Sequence, residues 1–383
     1  MVSLDVLWWI VLARATNHAG RIVISIFMAA MLLGLIAIIA ARMSRAGWDR
    51  MVPKFAVSAI FIWHFIGLGL LTLIGVALIP IFLGQKIISR PPPRKIEQTE
   101  TSSWSRREFL RLTGAMLPPV FTFGLTGIAM AQLNNVGVRR FVLPIVDLPA
   151  ELDGMTIAQV SDMHVGRFTK GDVLEKTVRL VNEMQADLVL LTGDLINDAL
   201  ADLDTGLELA QRMEARFGSA IIEGNHDLIE NPQEFETRVR ASDIPFLLDE
   251  SMIVDVRGVP VQLLGLSWTR VHGDRRDAAI SAAVQKLLGQ READAFPILM
   301  AHHPHAFDAA ADAQLPLTLS GHTHGGQLML NEELGFGPAM FRYWSGLYRK
   351  NKSQLIVSNG VGNWFPLRVN APAEIVHLTL RRG

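Results

Sequence analysis

No charged side chain interrupts Ile22–Ala41 (IVISIFMAAMLLGLIAIIAA), and a run of that length fits the hydrocarbon thickness of a bilayer as one helix. Phe55–Gly84 is a second apolar run, broken only by Ser58, His64, Thr72 and a late Pro80. Its glycines Gly67, Gly69 and Gly75 suit close helix–helix contact. A buried core helix is the soluble alternative, and the lengths argue against it. Ahead of both runs, Leu4–Leu12 is too short to cross and is expected at the interface, anchored by Trp8 and Trp9. The chain is 50% hydrophobic, and the excess sits before about residue 135.

The linker SRPPPRKIEQTETSS comes next, and its proline cluster forbids a continuous helix. Then comes Ser105–Ala131 (SRREFLRLTGAMLPPVFTFGLTGIAMA). Its arginine pair, Phe109–Leu110 and apolar run ending in small residues resemble a twin-arginine export signal, set deep inside the chain. The other reading is a basic turn before a third, proline-kinked membrane segment; both put the segment in the membrane. The expected organisation is a membrane region at 1–90 with two transmembrane helices, a linker at 91–104, a twin-arginine-like third segment at 105–133 and a soluble domain at 136–383. Arg14, Arg21, Lys86, Arg90, Arg94, Lys95, Arg106, Arg107 and Arg111 outnumber the opposite set, Arg42, Arg45, Arg50, Lys54, Arg139 and Arg140. That bias favours a cytoplasmic N-terminus, so three crossings carry the C-terminal domain outside the cell membrane.

A formal net charge of −1 gives no reason to expect nucleic acid as a partner. The absence of cysteine excludes disulfides, thiolate catalysis and cysteine-rich zinc sites.

From about Val136 short apolar runs alternate with amphipathic stretches, the rhythm of an α/β domain. Strands are predicted at Thr156–Val160, Leu188–Thr192, Ala220–Glu223, Val261–Leu266, Ile298–Ala301, Leu317–Ser320, Gln354–Ser358 and Ile375–Leu380. Helices are predicted at Val173–Gln185, Leu203–Phe217 and Asp277–Leu288. The residues just past the strand ends carry the chemistry. Thr156–Val160 leads to Asp162 and His164, Leu188–Thr192 to Asp194, and Ala220–Glu223 to Asn225, His226 and Asp227. Ile298–Ala301 leads to His302 and His303, and Leu317–Ser320 to His322 and His324. These are the strand ends where α/β sheets place ligand sites. Any one of them is explained as a turn or a helix cap. Five in one domain point to a shared site. Carboxylate and amide oxygens with imidazole nitrogens, without sulfur, suit Mn²⁺, Fe or Zn²⁺. Two cations held ~3.5–4 Å apart need an anionic bridge, and Asp194, midway in the order, can supply it.

The ordered blocks D-x-H, G-D, G-N-H-D, a later His and G-H-x-H resemble those of the calcineurin-like metallophosphoesterases, over about Met155–Leu380. The likeness is greatest to their membrane-tethered or twin-arginine-exported bacterial branch. It implies a fold of two mixed β-sheets packed as a sandwich and flanked by helices. It implies one divalent metal held by Asp162, His164, Asp194 and His324, and another by Asp194, Asn225, His302 and His322. His302 rather than His303 is taken as the ligand in AHHP. His226 would contact the scissile phosphate or protonate the leaving oxygen, with Asp227 orienting its imidazole; Asn225 and Arg368 would also face substrate. Asn197 stands where the family often has an acid. Gly360 and Gly362, in VSNGVGNWFPLRVNAPAEI, would form a loop close to the site.

The function implied is a membrane-anchored phosphoesterase that hydrolyses phosphate esters with metal-activated hydroxide. Lipid headgroups or lipid-linked pyrophosphates are the expected substrates, and the bilayer and the twin-arginine export machinery the expected partners. MFRYWSGLYRK, Met340–Lys350, offers an aromatic and basic cluster for a membrane surface, or else a solvated loop. The alternatives are a nucleotide phosphodiesterase and a non-catalytic metal-binding scaffold; a degenerate scaffold would be expected to lack Asp194 or His226, and both are present.

Overall fold

A computed structural model of the chain describes residues 1–43, 52–88, 106–331 and 334–383. The expected linker at 91–104 lies outside the described residues. Two compact units result, Met1–Ile128 and Ala129–Gly383.

The first unit is helical: α1 (Val2–Ala15), α2 (His18–Met43), α3 (Lys54–Phe61), a π-helical turn (Ile62–Gly67), α4 (Leu68–Ile88) and α5, which begins at Arg106 and runs through Pro118 and Pro119 to Gln132. Three stretches are long and apolar enough to cross a membrane: His18–Ala41, Lys54–Pro80 and Glu108–Gln132. The tryptophans of α1, expected as interfacial anchors, make hydrogen bonds to the neighbouring helices. Trp8 Nε1 donates to Thr72 Oγ1 at 3.0 Å and Trp9 Nε1 to Ser25 Oγ at 3.0 Å, so both indoles are tied into the helical unit.

Asp5 is fully buried among these helices. It accepts a hydrogen bond from Trp63 Nε1 at 2.9 Å and lies 3.2 Å from His64 Nε2. The π turn brings Trp63 and His64 to it, with His64 Nδ1 2.6 Å from the Ile60 carbonyl. A carboxylate among apolar helices is tolerated only when paired, so these contacts fasten α1 to the second apolar run.

The second unit is a two-sheet sandwich. One sheet has the order β1-β11-β2-β3-β4, from β1 (Gly137–Ile145), β2 (Thr156–Val160), β3 (Leu188–Thr192), β4 (Gly218–Ile222) and β11 (Glu374–Arg382). The other has the order β5-β6-β7-β8-β10-β9, from β5 (Glu250–Val256), β6 (Val259–Leu266), β7 (Phe296–Ala301), β8 (Leu317–Ser320), β9 (Gly346–Lys350) and β10 (Ser353–Val357). β2, β3 and β4 run parallel, as do β6, β7, β8 and β10; β11 on β2, β5 on β6 and β9 on β10 are antiparallel.

Side chains alternating along each strand explain the layers. Leu188 and Leu190 of β3 point between the sheets, where they join Ile298 and Met300 of β7 and Leu317 and Leu319 of β8. Val189 and Leu191 point outward, against α6 (Asp172–Met184), α7 (Leu203–Gln211) and α8 (Pro232–Arg240). On the far side α9 (Arg276–Leu288) and α10 (Ala306–Asp312) cover Leu264, Leu266 and Leu299. A strand covered on both faces must be apolar throughout, which is why the central strands read as continuous runs.

β1, β5 and β9 were not predicted, and each is an edge strand with half-exposed positions rather than an apolar run. α7 ends at Gln211, short of the predicted Phe217, because Asn182 takes over the chain there. Its Nδ2 donates to the Arg212 carbonyl at 2.9 Å and its Oδ1 accepts from Glu214 N at 2.9 Å.

Asp5→Leu strips Trp63 and His64 of their shared partner. We expect the unfolding midpoint of full-length protein in detergent to fall, corresponding to on the order of 3 kcal/mol. An unchanged midpoint would show that the pair fastens nothing.

Candidate metal centre

The parallel strands β2, β3, β7 and β8 end at the same edge of the sandwich, and their C-terminal loops are bonded to one another. Asp162 N donates to Gly193 O at 2.9 Å, His164 N to Asp194 O at 3.0 Å, and Gly362 N to Asp162 O at 2.7 Å. Gln159 of β2 crosses between the sheets, its Nε2 donating to Ser320 O at 2.8 Å and to Thr192 Oγ1 at 3.1 Å.

These loops turn sharply. Asp162 (φ 53°), His164 (φ 44°), Asp194 (φ 54°), His322 (φ 72°) and His324 (φ 49°) all adopt the left-handed conformation. Each costs on the order of 1 kcal/mol in a residue other than glycine, and such strain gathers where side chains must converge. The carboxylates help to hold the turns. Both Asp162 oxygens lie 3.1 Å from His322 N, and Asp194 Oδ1 accepts from His226 N at 2.8 Å. Two glycines make room: a β-carbon on Gly224 would stand 2.2 Å from Asp194 Oδ1, and one on Gly321 2.2 Å from Asp162 Oδ2.

The side chains then meet in three overlapping groups, Asp162–His164–His324, His164–Asp194–His226 and Asp194–His302–His322, each with donor atoms within 4.8 Å of one another. His302 Nε2 is 3.1 Å from Asp194 Oδ2, His324 Nε2 is 3.2 Å from Asp162 Oδ1, and the Nε2 atoms of His164 and His324 are 3.0 Å apart. Asn225 Oδ1 is buried without a hydrogen-bond partner. His302, not His303, reaches the carboxylates. His303 stacks behind, its ring 5.6 Å from Trp268 and its Nδ1 accepting from His305 N at 3.2 Å.

Burial by itself would raise both carboxyls. The His324 and His302 imidazoles nonetheless hold Asp162 well below the usual carboxylate range, and His302 and His226 do the same for Asp194. Burial by itself would lower His302, yet Asp194 and Asp162 push it up to about 10. Burial lowers His164 and His322 to about 3. Two buried carboxylates thus create a demand for positive charge where several neutral imidazoles offer lone pairs. An oxygen and nitrogen donor set of this kind fits divalent cations.

Arg368, expected to face substrate, is buried with its donors engaged by the protein itself. Nε donates to Asn363 Oδ1 at 2.7 Å, Nη1 to the carbonyls of Asn359 at 3.0 Å and Ala371 at 3.1 Å, and Nη2 to Gly360 O at 3.1 Å and Gly362 O. Nη2 also lies 3.2 Å from His324 Nδ1, so the guanidinium backs a site imidazole from behind. Asp227 does not orient the His226 ring. Its oxygens accept from Ile196 N at 3.0 Å and Gly224 N at 2.8 Å, stitching two site loops together. The His226 ring is oriented by the Asn197 carbonyl, 2.6 Å from Nδ1.

Some residues around the site were not anticipated. Trp268 lies just past β6 and packs against His302, His303 and His322 with centroid distances of 5.6, 5.6 and 5.0 Å. Its amide donates to Glu223 at 2.9 Å, a carboxyl that burial raises to about 7. Trp364 stands 5.8 Å from the His226 ring. The signal for Trp268 was its place at the C-terminal end of one more parallel strand, and that for Trp364 its place two residues after Gly362 in the loop expected close to the site.

Arg368→Ala leaves several buried carbonyls unpaired. We expect a loss of stability of about 3 kcal/mol or more, read as a lower melting temperature, and poorer retention of added metal through dialysis. A surface arginine would change neither.

Residues 155–326 match the family described as calcineurin-like phosphoesterase. A Danio rerio "Transmembrane protein with metallophosphoesterase domain" is 29% identical over 254 residues, covering 63% of this chain and 56% of its own length. The Bacillus subtilis "Uncharacterized metallophosphoesterase YkuE" is 26% identical over 291 residues, 72% of this chain and 98% of its own. The Escherichia coli "Phosphodiesterase YaeI" is 25% identical over 284 residues, 72% of this chain and 99% of its own. The chain therefore spans little more than half the length of the Danio rerio relative. With the matched segment carrying the whole convergent donor set, the globular unit of this chain belongs to the calcineurin-like phosphoesterase family.

Proposed function

We propose that the chain is a membrane-held hydrolase of phosphodiesters that works with two divalent cations. The observation that supports this most directly is the buried Asp162–Asp194 pair facing imidazoles from separate strand ends, with Asn225 Oδ1 lacking a partner. Asp162, His164, Asp194 and His324 would hold one cation, and Asp194, Asn225, His302 and His322 the other, with Asp194 shared. When bound, divalent cations acidify water and polarise a phosphoryl group for in-line attack.

The chain's own groups do the rest. His226 Nδ1 donates to the Asn197 carbonyl, so the ring presents Nε2 to the cavity it lines. Protonated, that nitrogen donates to the phosphoryl oxygens and then to the leaving oxygen as the P–O bond breaks. Asp227 keeps the His226 loop in register through the amides of Ile196 and Gly224. Water adds to phosphorus, the alcohol leaves with the proton, and a monoester remains. The phosphodiesterase name of the Escherichia coli relative favours diesters.

The three apolar helices would hold the domain at a bacterial cell membrane, and the arginine and lysine bias favours the outer side. The arginine pair at Arg106–Arg107 makes the twin-arginine export machinery the partner in assembly.

Full-length protein in detergent is expected to hydrolyse bis(4-nitrophenyl) phosphate with Mn²⁺, to stop with EDTA and to recover on adding metal. Asp194→Asn should abolish turnover, and His226→Ala should reduce it about 10²–10³-fold. Folded protein inert with Mn²⁺, Fe²⁺ and Zn²⁺ would instead be a metal-binding scaffold. For sidedness, a reporter enzyme active only outside the cytoplasm and fused after Gly383 is expected to be active; inactivity would reverse the orientation.

A further inference from the structure

The cavity above the candidate ligands has two kinds of wall. It is about 340 Å³, and its floor includes Asp194, Asn225 and the His226, His322 and His324 imidazoles. Its upper wall is Met340, Phe341 and Trp364. The same strap carries more apolar surface outward: Leu334 is 57% exposed, Met340 65% and, across the mouth, Trp364 41%. Single exposed apolar side chains are ordinary, but a group of them continuous with a catalytic cavity marks a binding surface.

The described parts of this strap, residues 327–331 and 334–344, are fastened to the domain. Met329 and Trp344 are buried beneath it with Ala371, Met329 N donates to Val369 O at 2.9 Å and Phe336 N to Leu328 O at 2.9 Å. Its underside is fastened to the domain while Leu334, Phe336 and Met340 are left in solvent. Phe341 packs its ring 5.6 Å from His322, which joins the apolar wall directly to the candidate ligands.

The charges near the wall agree with an apolar occupant. The arginine beside it, Arg342, is held by Asp308 and Asp277, and Arg368 is buried with its donors on carbonyls and Asn363. Among the described residues that line the cavity there is no lysine or arginine to take a second phosphate, as a nucleoside polyphosphate or a lipid-linked pyrophosphate would require.

We infer, on the phosphodiesterase reading above, that the leaving or retained alcohol of the substrate carries a long hydrocarbon chain, which lies along Met340, Phe341 and Trp364 while the phosphate sits on the floor. The substrate class is therefore a single-phosphate diester of a lipid, and the apolar helices of the same chain keep the enzyme where such molecules are.

The test is a series of alkyl 4-nitrophenyl phosphates, from methyl to octyl, given to full-length protein in one fixed detergent with Mn²⁺. We expect kcat/KM to rise about two- to fourfold per added methylene. Met340→Gln and Trp364→Ala should flatten that rise, read as the octyl-to-methyl ratio, which cancels any general change in activity. Phosphatidylglycerol in vesicles should be cleaved, with the same two variants slower. Turnover of the methyl ester with no dependence on chain length would overturn the lipid assignment and leave the phosphodiesterase reading standing. So would a preference for thymidine 5′-(4-nitrophenyl phosphate) over the octyl ester, which would assign the aromatic wall to a base. No turnover of any ester would overturn both.

Discussion

Two carboxylates, Asp162 and Asp194, are buried within reach of the same imidazoles, and much of the globular unit is arranged to make that tolerable. Taking a carboxylate out of water is expensive unless hydrogen bonds and opposite charge replace the water. The hydrogen bonds come from His322 N and the Ser161 hydroxyl for Asp162, and from His226 N for Asp194. The opposite charge must come from protons or cations, and the upward pull on His302 shows how strong the demand is. Carboxylates and imidazoles gathered this closely, with the Asn225 oxygen left unpartnered, form a donor set that fits divalent cations.

That geometry strains the backbone, and the sandwich is what sustains it. Parallel strands that enter the same edge from two sheets deliver their loops to one place, and Gln159 ties the sheets together just below it. The left-handed turns at Asp162, His164, Asp194 and His322 are locked by bonds to neighbouring loops, while that at His324 is closed by bonds within its own loop. Asp227 and Arg368 belong to this locking layer. One spans two loops through their amides; the other gathers the carbonyls of the Asn359–Gly362 turn behind His324.

The central strands and the donor residues were legible because burial on both faces leaves a continuous apolar run, and the end of such a run is easy to see. β2, β3 and β8 fall on the predicted bounds. Edge strands β1, β5 and β9 carry mixed side chains because one margin meets solvent, so no run marks them. The placements of Arg368 and Asp227 share an explanation. A charged residue beside a catalytic motif reads the same whether its partner is a substrate or the protein's own backbone, since only the fold decides which atoms it can reach. Asp5 escaped notice for a related reason: its partners, Trp63 and His64, are distant in sequence and meet it at a π turn that periodicity does not announce.

With the Arg368 donors engaged by the protein's own carbonyls, selectivity would have to reside elsewhere. On the proposed reading, a phosphodiester offers a single negative charge, which two divalent cations and one imidazole would suffice to balance, so a further guanidinium on the floor would bind without discriminating. Discrimination then falls to the parts of the cavity that touch the ester groups, and there the described wall is Met340, Phe341 and Trp364. The floor is shared chemistry, built from short motifs at strand ends. The wall comes from two stretches far from those motifs, the strap after β8 and the turn before Arg368, and it is on those stretches that a preference for one phosphate ester over another can be written without disturbing the metal ligands.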